Sequence, residues 1–115
     1  MQGLHIEIVF GKDERIGPGK VRLLELIAEK GSITEAAQAM SMSYRKAWLL
    51  LDAIDKLFPA PLIEKRVGGH GKGGATLTPL GREVIRQYRA FEGKCQKALT
   101  SDYPVLTDVQ PDLRD

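Results

Sequence analysis

The sequence predicts a mainly α-helical chain with one small β wing, and three observations carry that class. Two capped helical segments follow one another between Ser32 and Leu57. A glycine-rich stretch, RVGGHGKGGAT from Arg66 to Thr76, then lies between two short runs, LIEKRV and ATLT, that read as strands. A long segment with a regular apolar seam starts at Thr78-Pro79.

At 115 residues, 43% hydrophobic and 28% charged, the chain has the size of one globular domain with a modest core. Its longest apolar run, AWLLL, is far too short to span a bilayer. The N-terminal MQGLHIEIVFGKDE carries no basic region followed by an apolar block, so the expectation is a cytoplasmic protein without membrane contact. A single cysteine, Cys95, makes no internal disulfide and agrees with a reducing compartment.

The first element is GLHIEIVFG, where Leu4, Ile6, Ile8 and Phe10 alternate with His5 and Glu7 at the period of a half-buried strand. GKDERIGPG breaks regularity with three glycines and a proline and reads as a loop. A helix follows in KVRLLELIAEKG, with Val21, Leu24, Ile27 and Ala28 at helical spacing and Gly31 as a left-handed C-cap. Ser32 and Glu35 form a capping box that opens a short helix. Ser43 caps a longer one, YRKAWLLLDAIDKLF, with Ala47, Leu50, Leu51, Ile54 and Leu57 on one face and Pro59 as its stop.

Beyond the glycine-rich hairpin, Thr78 is an N-cap with Pro79 at the first helical position. The final helix carries Leu80, Val84, Tyr88, Phe91, Cys95 and Ala98 at steps of four, four, three, four and three, close to heptad spacing. Val84, Tyr88, Phe91 and Cys95 are the expected dimerisation residues, although a face of this kind also packs on its own domain. Residues 1–99 are thus expected to form one domain ending in this helix, and residues 100–115 an acidic, flexible tail. Three helices and then a two-stranded wing make a winged helix-turn-helix.

The two helices fit the helix-turn-helix pattern position by position. Counted from Ile33, the apolar positions four, eight, ten, fifteen and eighteen are Ala36, Met40, Met42, Ala47 and Leu50. The fifth, where crossing helices demand a small side chain, is Ala37; the ninth, usually glycine, is Ser41. The second helix is then the recognition helix. Its first turn exposes Tyr44, Arg45 and Lys46 after the Ser43 cap, where free N–H groups attract phosphate and cations reach base edges or backbone. Tyr44 reads as a phosphate donor or, nearly as readily, as a lid over the turn. Trp48 reads either as facing DNA or, more often for a lone tryptophan beside a core face, as packing. Leu49 faces outward and is apolar, which weakens dense base reading beyond the first turn.

Charge is unevenly spread. From Lys65 to Arg89 six basic residues stand against Glu83 alone, a local charge of +5, while Thr100 to Asp115 carries −3. A basic stretch in a chain of net charge +2 fits either a polyanion partner or a solvated helix face.

SYRKAW at Ser43 to Trp48 and GGHGKGGATLTPLG at Gly68 to Gly81 resemble the DNA-binding domain of the molybdate-responsive ModE regulators. More distantly, the region is similar to the LysR-type N-terminal domain. The resemblance covers roughly residues 20 to 99. It implies a cytoplasmic, homodimeric transcription regulator that binds double-stranded DNA and whose full-length members bind molybdate through further C-terminal domains. Only sixteen residues follow Leu99, so the expectation is either a stand-alone DNA-binding member or sensing that lies elsewhere, with no cofactor or oxyanion ligand assigned. The DNA-binding residues expected are Ser43, Tyr44, Arg45 and Lys46 on the helix, and Arg66, His70 and Lys72 on the wing.

Rival chemistries fare worse. A Walker A loop fails at Arg66 and at Gly73, where it needs glycine and Ser or Thr. Gly69, Gly71 and Gly74 match G-x-G-x-x-G, but ATLT separates them from the next helix and no βαβ unit surrounds them. His5, His70 and Cys95 have no metal-ligand spacing and no visible nucleophile–base pairing, so an enzyme is not expected. The remaining competitor is a winged helix that docks proteins without specific DNA binding.

Overall fold

The computed structural model describes residues 3–66 and 74–109. In chain order these form β1 (Ile8–Val9), β2 (Arg15–Ile16), α1 (Pro18–Lys30), α2 (Ile33–Ala39), α3 (Tyr44–Asp55), β3 (Ile63–Arg66), β4 (Gly74–Leu77), α4 (Pro79–Asp102) and α5 (Pro104–Thr107). Helices α1, α2 and α3 pack on one another, the β3–β4 wing lies against α1, and α4 crosses back over α1. The architecture is a winged helix-turn-helix with a long final helix.

The caps behave as their chemistry dictates. Gly31 ends α1 at φ 72, in the left-handed region, and its N–H reaches the Ile27 carbonyl. Ser32 Oγ accepts from the Glu35 N–H at 3.2 Å, and Ser43 Oγ from the Lys46 N–H at 3.1 Å. Between α2 and α3 the chain turns through Ser41 at φ 56, the only non-glycine residue at positive φ among the described residues. That is the backbone state for which the motif's ninth position favours glycine.

The core is one cluster. Val21, Leu23, Leu24, Leu26 and Ile27 of α1 meet Ile33, Ala36 and Ala37 of α2 and Ala47, Leu51 and Ile54 of α3. Leu62, Ala75 and Leu77 close it from the wing, and Tyr88 from α4. Alanines 36, 37 and 47 are fully enclosed, which allows the steep crossing of α2 and α3.

The wing pairs antiparallel with Ile63 opposite Leu77 and Arg66 opposite Gly74. Its base is held from three sides. The Ala75 N–H donates to the Gly31 carbonyl at 2.9 Å, and the Thr78 N–H to the Leu62 carbonyl at 3.0 Å. The Thr78 hydroxyl donates to the Pro61 carbonyl at 2.8 Å while accepting from the Gly81 N–H at 3.0 Å.

Several elements differ from the sequence-based expectation. The half-buried strand expected over Leu4–Phe10 shrinks to Ile8–Val9, with Ile8, Val9 and Phe10 exposed. Its partner, Arg15–Ile16, lies in the segment expected to be loop: Glu14 accepts from the Phe10 N–H at 2.7 Å and closes a hairpin. Ala28 is exposed, and Leu23 and Leu26 are buried instead, because α2 and α3 flank α1 on a wide arc. Helix α3 stops at Asp55, before Leu57, where the Asp55 carboxylate turns to accept from the Leu62 N–H at 2.7 Å. Helix α4 runs past residue 99 to Asp102, and Pro104 then starts the single turn of α5.

No helix among the described residues is long and apolar enough to cross a membrane.

Candidate nucleic-acid interface

Helix α3 buries Ala47, Leu51 and Ile54, so the opposite side is presented to solvent. With Ser43 satisfying the Lys46 N–H, the first turn is fixed and Tyr44, Arg45 and Lys46 project from it, all exposed. Neither Arg45 nor Lys46 has an ion-pair partner among the described residues. Tyr44 is 50% exposed and shares an open cleft with Arg45, Trp48 and Leu49.

Trp48 departs from the packing role expected of it. It is 41% exposed and lines a pocket with Ile33, Leu51, Asp52, Asp55, Ile63 and Lys65. The Lys65 ammonium lies 6.0 Å from its ring centroid, near the limit of a cation–π contact. The wing and the recognition helix therefore meet through Trp48 and Lys65. Lys65 was not among the site residues expected on sequence grounds. Alternation along β3 is the signal that finds Lys65, because it shares a strand face with Ile63.

Arg66, the next residue on β3, is exposed and projects from the opposite strand face. Its guanidinium lies beside Gly74, across the pair: a Cβ there would meet Nη2 at 3.5 Å. His70 and Lys72, expected at the wing tip, lie outside the described residues.

The basic run from Lys65 to Arg89 divides sharply. Arg82 Nη1 donates to the Leu77 carbonyl at 3.0 Å and braces the wing base. Arg86 pairs with Glu83, whose carboxyl is pulled down to about 2 by hydrogen bonds from Arg86 and then Gln87. Arg89 is bound by both Glu25 and Glu92, and those bonds raise its already high pKa. The α4 arginines are structural partners of carboxylates and carbonyls. Among the described residues, Arg45 and Lys46 on the helix and Lys65 and Arg66 on the wing are exposed cations without carboxylate partners, whereas Lys56 at the end of α3 pairs with Asp52.

The expected dimer seam divides too. Tyr88 is 3% exposed in its own chain, and its hydroxyl donates to the Ile6 carbonyl at 2.7 Å. Burial raises its pKa. Val84 packs partly buried against the same core. Phe91, at 47% exposure, and the half-buried Cys95 lie further along α4.

Residues 19–82 match the family model described as bacterial regulatory helix-turn-helix protein, lysR family. The chain is 42% identical over 80 residues to the molybdenum transport protein ModE of Azotobacter vinelandii, covering 70% of this chain and 30% of that protein. It is 40% identical over 77 residues to the transcriptional regulator ModE of Haemophilus influenzae, covering 67% and 30%. The DNA-binding transcriptional dual regulator ModE of Escherichia coli is 36% identical over 91 residues, covering 79% and 33%. The chain thus spans about a third of the length of the curated relatives it matches.

Proposed function

Because the chain belongs to the lysR family of bacterial regulatory helix-turn-helix proteins, we propose that it is a sequence-specific DNA-binding transcription regulator, not an enzyme, acting in the cytoplasm. The observation that carries this reading is the first turn of α3. It displays Arg45 and Lys46 without carboxylate partners among the described residues, from a helix whose N-cap is already satisfied.

In this reading α3 lies in the major groove with Arg45 and Lys46 toward bases or phosphates. Ser43 holds the first turn, and Tyr44 offers a hydroxyl to the backbone. Lys65, Arg66, His70 and Lys72 meet phosphates or the adjacent minor groove. Two copies join along the distal part of α4, through Phe91 and Cys95. Their recognition helices then occupy half-sites about 34 Å, or a multiple of it, apart. We assign no molybdate-binding residue among the described residues.

Selection of bound fragments from genomic DNA, followed by a salt titration on the enriched site, tests the proposal. Enrichment of a site with two related halves and a steep salt dependence is expected. Equal, salt-insensitive binding to every duplex overturns it, and a monomer at micromolar concentration by sedimentation removes the paired-groove geometry. A protein-docking module is the second reading, favoured by the exposed Trp48 and Leu49. The exposed cations Arg45 and Lys46, without carboxylate partners among the described residues, argue for a polyanion.

A further inference from the structure

Leu49 is an exposed residue of the recognition helix that the proposed function does not use. At about 100° per residue, the side of α3 opposite buried Ala47, Leu51 and Ile54 is occupied by Arg45 and Leu49, one turn apart. Leu49 is 49% exposed. A single leucine at a surface is ordinary. This one sits in the middle of the helix's outward side, in a cleft it shares with Tyr44, Arg45 and Trp48.

Its surroundings select the occupant. Arg45 shares its cleft and Lys46 lies nearly one turn before it, both exposed and without carboxylate partners among the described residues. Asp52 on the same side is itself paired with Lys56, so an apolar protein surface would leave those two cations unmatched. A polyanion satisfies them. Double-stranded DNA is also a polyanion with an apolar group in its major groove: the thymine 5-methyl, which no other unmodified base carries. Resting on the proposed DNA-binding reading, we infer that Leu49 is a specificity-determining residue that packs on a thymine methyl within each half-site, beside the base or phosphate held by Arg45. The apolar character of Leu49 then adds a base contact that hydrogen bonding does not supply.

The test begins with a site selected from random duplexes by the wild-type protein. Each thymine is next replaced in turn by deoxyuridine, which removes the methyl and leaves every hydrogen-bonding group in place. Affinity is read by fluorescence anisotropy. At one thymine per half-site the replacement is expected to weaken binding about fourfold, the equivalent of one buried methyl group. Leu49→Ala and Leu49→Gln should bind the thymine and uracil sites equally, with unchanged affinity for random DNA. Leu49→Met should keep the discrimination. A selected site without thymine, wild-type binding indifferent to uracil everywhere, or variants that retain the wild-type thymine-to-uracil ratio would each overturn the inference while leaving DNA binding intact. If no duplex is enriched at all, the DNA-binding reading itself fails, and this inference with it.

Discussion

The Arg89 guanidinium forms a fork on the Glu25 carboxylate, with Nε 3.0 Å from Oε2 and Nη2 2.9 Å from Oε1, joining α4 to α1 across 64 positions of sequence. Nη1 of the same side chain donates to Glu92 at 2.8 Å, and Arg22 adds a second cation beside Glu25 at 3.6 Å. This fork, together with buried Tyr88, ties the long helix to the rest of the domain. Any assembly that uses the distal part of α4 depends on that attachment.

The fork has a definite pH signature. Hydrogen bonds from Arg89 hold the Glu25 carboxyl below its ordinary value, against the opposing effect of burial. A carboxylate with a depressed folded pKa contributes stability above its unfolded value, near pH 4.3, and loses it as pH falls through the folded value. Glu25→Gln is therefore expected to cost about 1–2 kcal/mol at pH 7. That difference should shrink steadily below pH 4.3. Urea unfolding of both proteins from pH 7 to pH 3 checks it; a gap that stays constant to pH 3 would sink the assignment.

Ser41 gives a prediction of opposite sign. At φ 56 a residue with a Cβ carries a cost of about 1 kcal/mol, and the Ser41 hydroxyl has no protein hydrogen bond among the described residues to offset it. Ser41→Gly removes that strain, although glycine also gains freedom in the unfolded chain. A net gain of up to about 1 kcal/mol is expected, raising Tm by several degrees. Ser41→Val should lower it. Calorimetry on the pair decides, and a destabilised Ser41→Gly would refute the strain argument.

Two glycines of α4 should respond oppositely to the same change. A Cβ built at Gly81 would stand 2.3 Å from the Leu62 carbonyl oxygen, a backbone atom that cannot swing aside. A Cβ at Gly93 meets nothing within 4 Å. Gly81→Ala is expected to cost about 2 kcal/mol or more by forcing α4 away from the wing base. Gly93→Ala should stabilise by up to about 1 kcal/mol through helix propensity alone. Comparable melting temperatures for the two variants would contradict the close approach.

Much of this fold was legible in the sequence because its signals are local. Ser32, Ser43, Thr78 and Gly31 each declare a helix end through their own backbone hydrogen bonds, and the spacing of Ala36, Ala37 and Ala47 declares the crossing. What stayed hidden depends on partners far along the chain. Tyr88 looks like a seam residue until Ile6, 82 positions away, takes its hydroxyl. The Lys65–Arg89 run looks like a patch until Glu25 and the Leu77 carbonyl claim its members. Trp48 reads as core until β3 is laid beside it with Lys65 above the ring.

That division of the basic residues makes the last prediction. If Lys65 and Arg45 face DNA while Arg86 serves Glu83, removing one positive charge at each position gives three different outcomes. Lys65→Ala should weaken binding to all duplexes alike and reduce the salt slope by about one unit, as loss of a phosphate contact requires. Arg45→Ala should cost about 1–3 kcal/mol on the preferred site and much less on random DNA, because a base contact acts only where the base is present. Arg86→Ala should leave both slope and preference unchanged, since its charge is already matched by a carboxylate. Net charge falls by one in every case, so a common effect would show that overall charge governs binding. Three separate behaviours, read from salt titrations on selected and random duplexes, would tie recognition to α3 and the wing.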